Sequence, residues 1–477
     1  MTAPIPLRKF PSPRDKSAAE SDELYAARKK LHVRSVSGRF ATWRWILVWF
    51  TQILYYGLPW LTWNDRQAVL FHLTERKFYI FGWVFWPQDV FYLAILLIIS
   101  AFALFFFTAI AGRLWCGYAC PQTVYTEIFM WIEEKIEGDH LKRKKLDSAP
   151  LGARKLAIRS AKYGAWILLS LWTGFTLVAY FTPLDELLQA AKTLSFGPWE
   201  MFWILFYGGF TYLFAGVMRE QVCKYMCPYA RFQSVMFDAD TLVITYDQER
   251  GEPRGSRRKG VAPRSSGLGD CVDCGICVQV CPTGIDIRQG LQYECIGCAA
   301  CIDGCDQVMD RMGYPRGLIR YSTDNAIKQH WKRKEIIAHV LRPRTLIYSA
   351  ILTSACIALL WGLAARSDLR VDVIRDRATL AREVEDGLIE NVYQLQIMNM
   401  LETPRVFDIA VSGLEGIRID GIRQVRIAPA STESVTVHVR VPPESGAPGS
   451  HEIVFDVDLN GDPSVSVQED TTFHLPR

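Results

Sequence analysis

Histidine is scarce in this chain: among 477 residues there are eight, and none falls inside a long apolar run. Paired axial imidazoles for a haem held within a membrane are thereby excluded. Glycine-rich nucleotide fingerprints and flavin-type motifs are also missing, since Gly313–Gly317 brackets a loop and not a phosphate cradle. No organic cofactor is expected. Net charge is small at +4, and no recognition module accompanies the basic runs Lys142–Lys145, Arg257–Lys259 and Lys332–Lys334. Those runs read as topology determinants touching anionic lipid, and nucleic acid is not an expected partner. The stretch 366–477 has no cysteine, so disulfides are not what this chain uses thiols for. A cleavable signal peptide is not expected either, because 44 largely polar residues precede the first apolar run.

What the chain does have is thiol in a dense pattern. Eight of its 13 cysteines form two runs, Cys271-x-x-Cys274-x-x-Cys277-x-x-x-Cys281-Pro282 and Cys295-x-x-Cys298-x-x-Cys301-x-x-x-Cys305, with 13 residues between Cys281 and Cys295. This is the bacterial ferredoxin pattern for two 4Fe–4S clusters, in which the fourth cysteine of each run serves the other cluster. One cluster would take Cys271, Cys274, Cys277 and Cys305, and the other Cys295, Cys298, Cys301 and Cys281. Zinc sites pair C-x-x-C units at longer separations, so zinc is the poorer reading. Gly275, Gly284, Gly297 and Gly304 are placed to give such loops a permissive backbone.

Apolar residues are gathered into five stretches: Trp45–Trp63, Val90–Ala111, Tyr163–Pro183, Trp199–Met218 and Leu346–Ala364. Each is close to the roughly 20 residues that cross a bilayer. Lys and Arg number ten in 1–44 and ten in 112–162, against three in 64–89 and one in 184–198. The positive-inside rule then makes the N-terminus, the 112–162 loop and 219–345 cytoplasmic, and the two short connections and the tail external. Gln122–Gly138 reads as an amphipathic helix on the inner surface.

A second thiol pattern closes the second and fourth stretches. Cys116-Gly-Tyr118-Ala-Cys120-Pro121 and Cys223-Lys-Tyr225-Met-Cys227-Pro228 share the form C-x-Y-x-C-P, as a parallel duplication would. On a continuous helix each pair would share a face, with the proline forcing a kink. Four readings stand: small buried residues at a helix break, a dithiol couple, a soft-metal thiolate site favouring Cu(I), and a further iron–sulfur centre. Cys356 reads as a packing residue within the fifth stretch.

The expected organisation is a multi-domain α+β membrane protein. Residues 1–44 form a mobile cytoplasmic N-terminus. A four-span core follows over 45–245, and a two-cluster, ferredoxin-like 4Fe–4S domain with its linker helix over 246–345, entered by a flexible Asp247–Gly269. The fifth span, 346–364, completes a five-helix transmembrane core. The tail, 365–477, alternates apolar and polar residues in Tyr393–Ile397, Phe407–Val411, Val435–Val441 and Ile453–Val457, as an immunoglobulin-like β-sandwich does. No titratable constellation stands out there, so it reads as a docking module.

Taken together, these features resemble the cytochrome c oxidase accessory protein family called CcoG, FixG or RdxA, over nearly the whole chain. The core alone is more distantly similar to NapH- and NosR-type membrane ferredoxins. The resemblance implies a Gram-negative inner-membrane protein serving assembly of cbb3-type cytochrome c oxidase, with reduction of Cu(II) to Cu(I). It maps the cluster ligands onto the eight ferredoxin cysteines and the membrane pairs onto Cys116, Cys120, Cys223 and Cys227. One departure is Cys305-Asp306, which lacks the customary proline. Implied partners are a cytoplasmic electron donor and, outside, copper chaperones or oxidase subunits; homo-oligomerisation is left open. Two other functional readings are an electron-transfer subunit between a quinol or ferredoxin pool and a partner complex, and an assembly scaffold.

Overall fold

The computed structural model describes residues 30–476 apart from 261–266, 341, 377–380, 385–386 and 461. The chain separates into two compact units, one of residues 1–73 and 90–357, the other of 74–89 and 358–477.

Three helices of the described residues are long and apolar enough to cross a membrane: Pro87–Ala111, Pro198–Met218 and Pro343–Ala364. Residues 90–111 carry no charged side chain, and their large apolar groups stay exposed, as a lipid-facing helix requires. The other two expected spans are also helical. Arg39–Gly57 buries Arg44 and Gln52, and Ala153–Val178 opens with Arg154, Lys155, Arg159 and Lys162. The expected amphipathic helix runs Pro121–Glu137 and stops at Gly138, whose φ of 91° only glycine tolerates easily. Its inner face, Val124, Tyr125 and Phe129, packs on Trp166 and Ala215.

One consequence of this packing is hard to see in the sequence. Glu133, fully buried, meets Arg219 at 2.8 Å, Arg143 at 3.3 Å and Lys162 at 3.6 Å. Lys162, equally buried, reaches Glu137 at 2.9 Å. Burial alone would push the Glu133 carboxyl up, but the three cations hold it below the usual carboxylate range. Arg143 therefore turns inward, a correction to its reading as part of a lipid-facing basic run; Lys142, Lys144 and Lys145 of that run are exposed.

The expected mobile N-terminus lies outside the described residues up to 29, and 30–44 depart from that expectation. Arg34 N–H donates to the Gln279 carbonyl at 2.8 Å, and Phe40 rests on Tyr321. Asp303 accepts from the N–H groups of Phe40 and Ala41, at 3.2 and 2.7 Å, and so caps the first helix from the cysteine-rich region. Gly38 permits that approach, since a Cβ there would lie 2.4 Å from the Asp303 carboxyl carbon. The entry segment is also more ordered than expected: Asp247 caps a helical turn, Gly269 N–H donates to the Pro253 carbonyl, and Arg250 holds Asp270 at 2.5 Å. Residues 261–266 of that entry are outside the description.

The second unit contains the tail. Its first sheet orders the strands Arg418–Asp420, Thr432–Val441, Ile389–Asn399 and Leu369–Arg375, with Arg382–Glu383 beside Ile389–Asn399. Its second sheet orders Gln424–Ile427, Arg405–Ser412, Gly449–Leu459 and Asp462–Leu475. The predicted inward residues do face inward: Tyr393, Leu395, Ile397, Phe407, Ile409, Val437, Val439, Phe455 and Val457 form one core with Phe473. The sequence reading found no titratable constellation here, and the structure corrects this. Glu390, buried on its strand, is bonded by Arg382, by His438 at 3.1 Å and by Arg440 at 2.7 Å. Register, which local sequence does not reveal, places Arg382 and Arg440 opposite it.

Candidate functional site

The strands Val243–Tyr246 and Ile319–Ser322 pair and bracket the cysteine-rich segment. Within it, each run turns into a helix through a residue in the left-handed region. Gly275 (φ 66°) precedes Ile276–Gln279, and Ala299 (φ 59°) precedes Ala300–Met312. Gly284 and Gly297 also take positive φ, as the loops need. Gly304 does not: it lies within the helix and permits close packing, since a Cβ would meet Ile276 at 3.1 Å.

The fold sorts the eight thiols. One cavity is lined by Cys271, Cys274, Cys277 and Cys305. A neighbouring one is lined by Cys281, Cys295, Cys298 and Cys301, with Cys277 on its wall. Each thus draws three cysteines from one run and its fourth from the other. Backbone N–H groups already point at sulfur, from Gly297 to Cys295 and from Ala300 to Cys298. Burial nonetheless pushes the Cys295 thiol up to about 12 and Cys298 up to about 11, so these sulfurs hold their protons until a cation displaces them. Eight thiols in two apolar cavities with amide donors suit iron–sulfur clusters. Among the described residues, no three His, Cys, Asp or Glu side chains stand close enough to hold a single metal ion.

Cys116, Cys120, Cys223 and Cys227 also come together. The helix at Leu114–Tyr118 ends before Cys120, which is extended, and Pro121 is the first residue of a new helix. The second motif repeats this: a π-helical turn, Val222–Met226, ends before an extended Cys227, and Pro228 begins Pro228–Met236. Both motifs close with the same wide bond, Cys120 N–H to the Trp115 carbonyl at 3.0 Å and Cys227 N–H to the Val222 carbonyl at 2.8 Å. The expected kinked continuous helix, with each pair on one face, is therefore corrected. Proline at the first helical position needs no N–H partner, so the chain breaks there instead of bending.

Each motif is braced by the residues that follow the other. Gln122, after the first, donates to the Phe214 and Arg219 carbonyls at 3.0 and 3.2 Å. Gln233, after the second, is fully buried and accepts from Cys116 Sγ at 3.5 Å. The four sulfurs lie within electrostatic reach of one another, and burial pushes the Cys116 and Cys223 thiols up to about 12. At Cys120 burial acts the same way, opposed by the N–H groups of Thr123 and Gln122 at the new helix's start.

This thiol set is in contact with the second cavity. Cys116 and Cys223 pack against the buried cluster of Val280, Ile296, Cys298 and Ala300. A Cβ on Gly117 would lie 2.8 Å from the Gly297 carbonyl and 2.9 Å from Cys298 Cα, so the short helix carrying Cys116 sits directly on the cysteine loop. Cys356, on Pro343–Ala364, is half-buried and apart from both sets.

Comparison with known proteins matches these parts one by one. Residues 93–144 match a family model described as a 4Fe–4S binding domain, and 218–324 one described as a 4Fe–4S dicluster domain. Residues 359–476 match the model of the Ig-like fold at the C-terminal of FixG. The nitrogen fixation protein FixG of Rhizobium meliloti is 38% identical over 422 residues, 82% of this chain and 80% of its own length. Protein RdxA of Cereibacter sphaeroides is 38% identical over 449 residues, 90% of this chain and 93% of its own. The methylamine utilization ferredoxin-type protein MauN of Methylobacillus flagellatus matches at 24% over 177 residues, half of its own length. The family models and the relatives matched over most of their length agree, and the chain belongs to the FixG family of iron–sulfur electron-transfer proteins.

Proposed function

We propose that this chain carries electrons from a cytoplasmic donor to Cu(II) and releases Cu(I) for assembly of a cbb3-type cytochrome c oxidase. The observation that carries the reading is the packing of Cys116 and Cys223 against the buried cluster that contains Cys298, with Gly117 seated on Gly297. Cys271, Cys274, Cys277 and Cys305 hold one 4Fe–4S cluster, and Cys281, Cys295, Cys298 and Cys301 the other. The clusters supply one-electron transfer. Cys274 is exposed and gives the first cluster a face toward a soluble donor, whereas no cysteine of the second is exposed.

Cu(II) is the substrate, taking one electron each. Cys116, Cys120, Cys223 and Cys227 supply the copper ligands, no more than two of them to one ion in the arrangement described; soft thiolates favour Cu(I) over harder ions, so their affinity follows the reduction. The protons on Cys116 and Cys223 are released as the metal binds. The same reading places the protein in a bacterial inner membrane with five spans, its cysteine-rich unit cytoplasmic and its sandwich periplasmic. The sandwich docks copper chaperones or oxidase subunits outside.

The test is anaerobic Cu(I) formation from Cu(II) by pre-reduced protein, followed together with cluster absorbance. Cu(I) is expected to appear in step with cluster oxidation, and to be lost when Cys116, Cys120, Cys223 and Cys227 are each changed to Ala with the clusters intact. Clusters that stay reduced in the presence of Cu(II) would remove copper as the acceptor.

A further inference from the structure

Two arginines are buried next to the second cysteine cavity, and one of them, Arg113, meets no carboxylate among the described residues. Arg113 is 5% exposed and Arg44 7% exposed, and the Nε of each has no hydrogen-bond partner among the described residues. Arg113 donates one guanidinium N–H to the Ala230 carbonyl, a neutral partner. Its backbone is pressed against the cysteine loop, since a Cβ on Gly297 would lie 3.0 Å from the Arg113 carbonyl oxygen. Its charge acts on Cys295 of the second cavity and, on the other side, on Cys116 and Cys223. Arg44 acts on Cys298 and is 3.6 Å from Glu127.

The first cavity is arranged differently. Its nearby arginine, Arg288, is held by Asp286 at 2.7 Å and by Asp273 at 2.5 Å, so its charge is already spent on carboxylates. Asp306 adds negative charge beside Cys305. Reduction adds an electron to a centre that thiolates already make negative. A buried cation therefore favours the reduced form, and a compensated one does so much less.

We propose that Arg113 sets the order of the two centres, raising the reduction potential of the one at Cys281, Cys295, Cys298 and Cys301 above that at Cys271, Cys274, Cys277 and Cys305. This rests on the iron–sulfur reading above, and it gives electron flow a direction. One electron leaves the first centre, which is oxidised, and enters the second, which is reduced, without a proton or bond change. Arg113 then also attracts negative charge to the thiols at Cys116 and Cys223. It is a positioning residue, acting through sulfur it does not ligate.

The experiment is a redox titration of the full-length, cluster-loaded protein in detergent, read by electron paramagnetic resonance. The two waves are assigned by which one Cys274→Ala removes. In the unaltered protein the second centre is expected to titrate at the higher potential. Arg113→Gln should shift its reduction equilibrium about tenfold toward the oxidised form, which is about 59 mV for one electron, and leave the first centre in place. Arg113→Lys, which keeps the charge, should restore most of the shift. Equal movement of both centres, or no movement of either, overturns the proposal. If Arg113→Gln loses iron, Arg113→Lys and the order of the two waves in the unaltered protein carry the test, and a first centre that titrates at the higher potential overturns the proposal. Absence of any cluster signal in the unaltered protein would instead remove the iron–sulfur reading beneath it, whereas failure of copper reduction touches neither potential.

Discussion

In the redox unit the side chains farthest from water include Lys162, Glu133, Arg143, Arg44 and Arg113; in the sandwich they are Tyr393, Phe407, Phe455 and Phe473, with Glu390 as the buried acid. Both interiors are closed, but by different forces. The sandwich is closed by apolar surface from two sheets, and its acid is fully answered by Arg382, His438 and Arg440. The redox unit buries charges whose partners come from separate segments: Glu133 meets Arg143, Lys162 and Arg219, and Arg113 meets the Ala230 carbonyl. An apolar interior is stable wherever its pieces meet, whereas a charged one is stable only when particular residues meet. The redox interior is thus the more specific and the more easily damaged.

Four changes would break or sharpen that contrast. The largest effect is expected from Cys301→Ala, which removes one of the thiols lining the second cavity. About half of the bound iron should be lost, measured by iron and acid-labile sulfide, with the melting of the sandwich unchanged. Phe455→Ala should do the opposite: deleting a core phenyl ring costs about 4 kcal/mol. It should lower the melting transition of the sandwich while the cluster spectrum stays as it was. Loss of both signals together would mean that the units do not fold separately.

Glu133→Gln comes next. It leaves Arg143, Lys162 and Arg219 facing a neutral side chain in a closed interior. A loss of about 3 kcal/mol is expected, read by denaturant unfolding, and a variant as stable as the parent would show that these charges find water. The smallest effect concerns pH. Burial would raise the Glu390 carboxyl, but Arg440, Arg382 and His438 hold it down at about 2, below its ordinary 4.5. Its contribution is therefore complete above about pH 4.5 and disappears as pH falls toward 2, on the order of 2 kcal/mol. Melting temperature against pH should show this acid-side loss in the parent and not in Glu390→Gln.

Much of the redox chemistry was legible because it is written in contiguous residues. The spacing of the two four-cysteine runs led to the two crossed thiol groups that the cavities at Cys277–Cys305 and Cys281–Cys301 display. Alternation did the same for the sandwich, where Tyr393, Val437 and Phe455 point inward. What the sequence misled on was the conformation at Cys120 and Cys227. Periodicity suggested a helix running through each pair, but proline at the next position made a helix start more favourable than a kink. The docking of 30–41 on Gln279 and Asp303 was likewise hidden, because its scattered apolar residues, Leu31, Val33, Val36 and Phe40, follow no period that would reveal a partner.

By itself the sequence determined which atoms are available: eight thiols in ferredoxin spacing, four more in a duplicated motif, apolar helices, and a strand-forming tail. Local chemistry sufficed there, since spacing limits which sulfurs one loop can bring together. Only the tertiary structure decided that Cys116 and Cys223 reach the buried cluster around Cys298, that Gly117 rests on Gly297, and that Arg113 acts on both thiol sets. These contacts join residues far apart in the chain, Gly117 and Gly297 by 180 positions. Their energy comes from burial and charge, which depend on the surroundings each side chain reaches after folding and not on its neighbours in the chain.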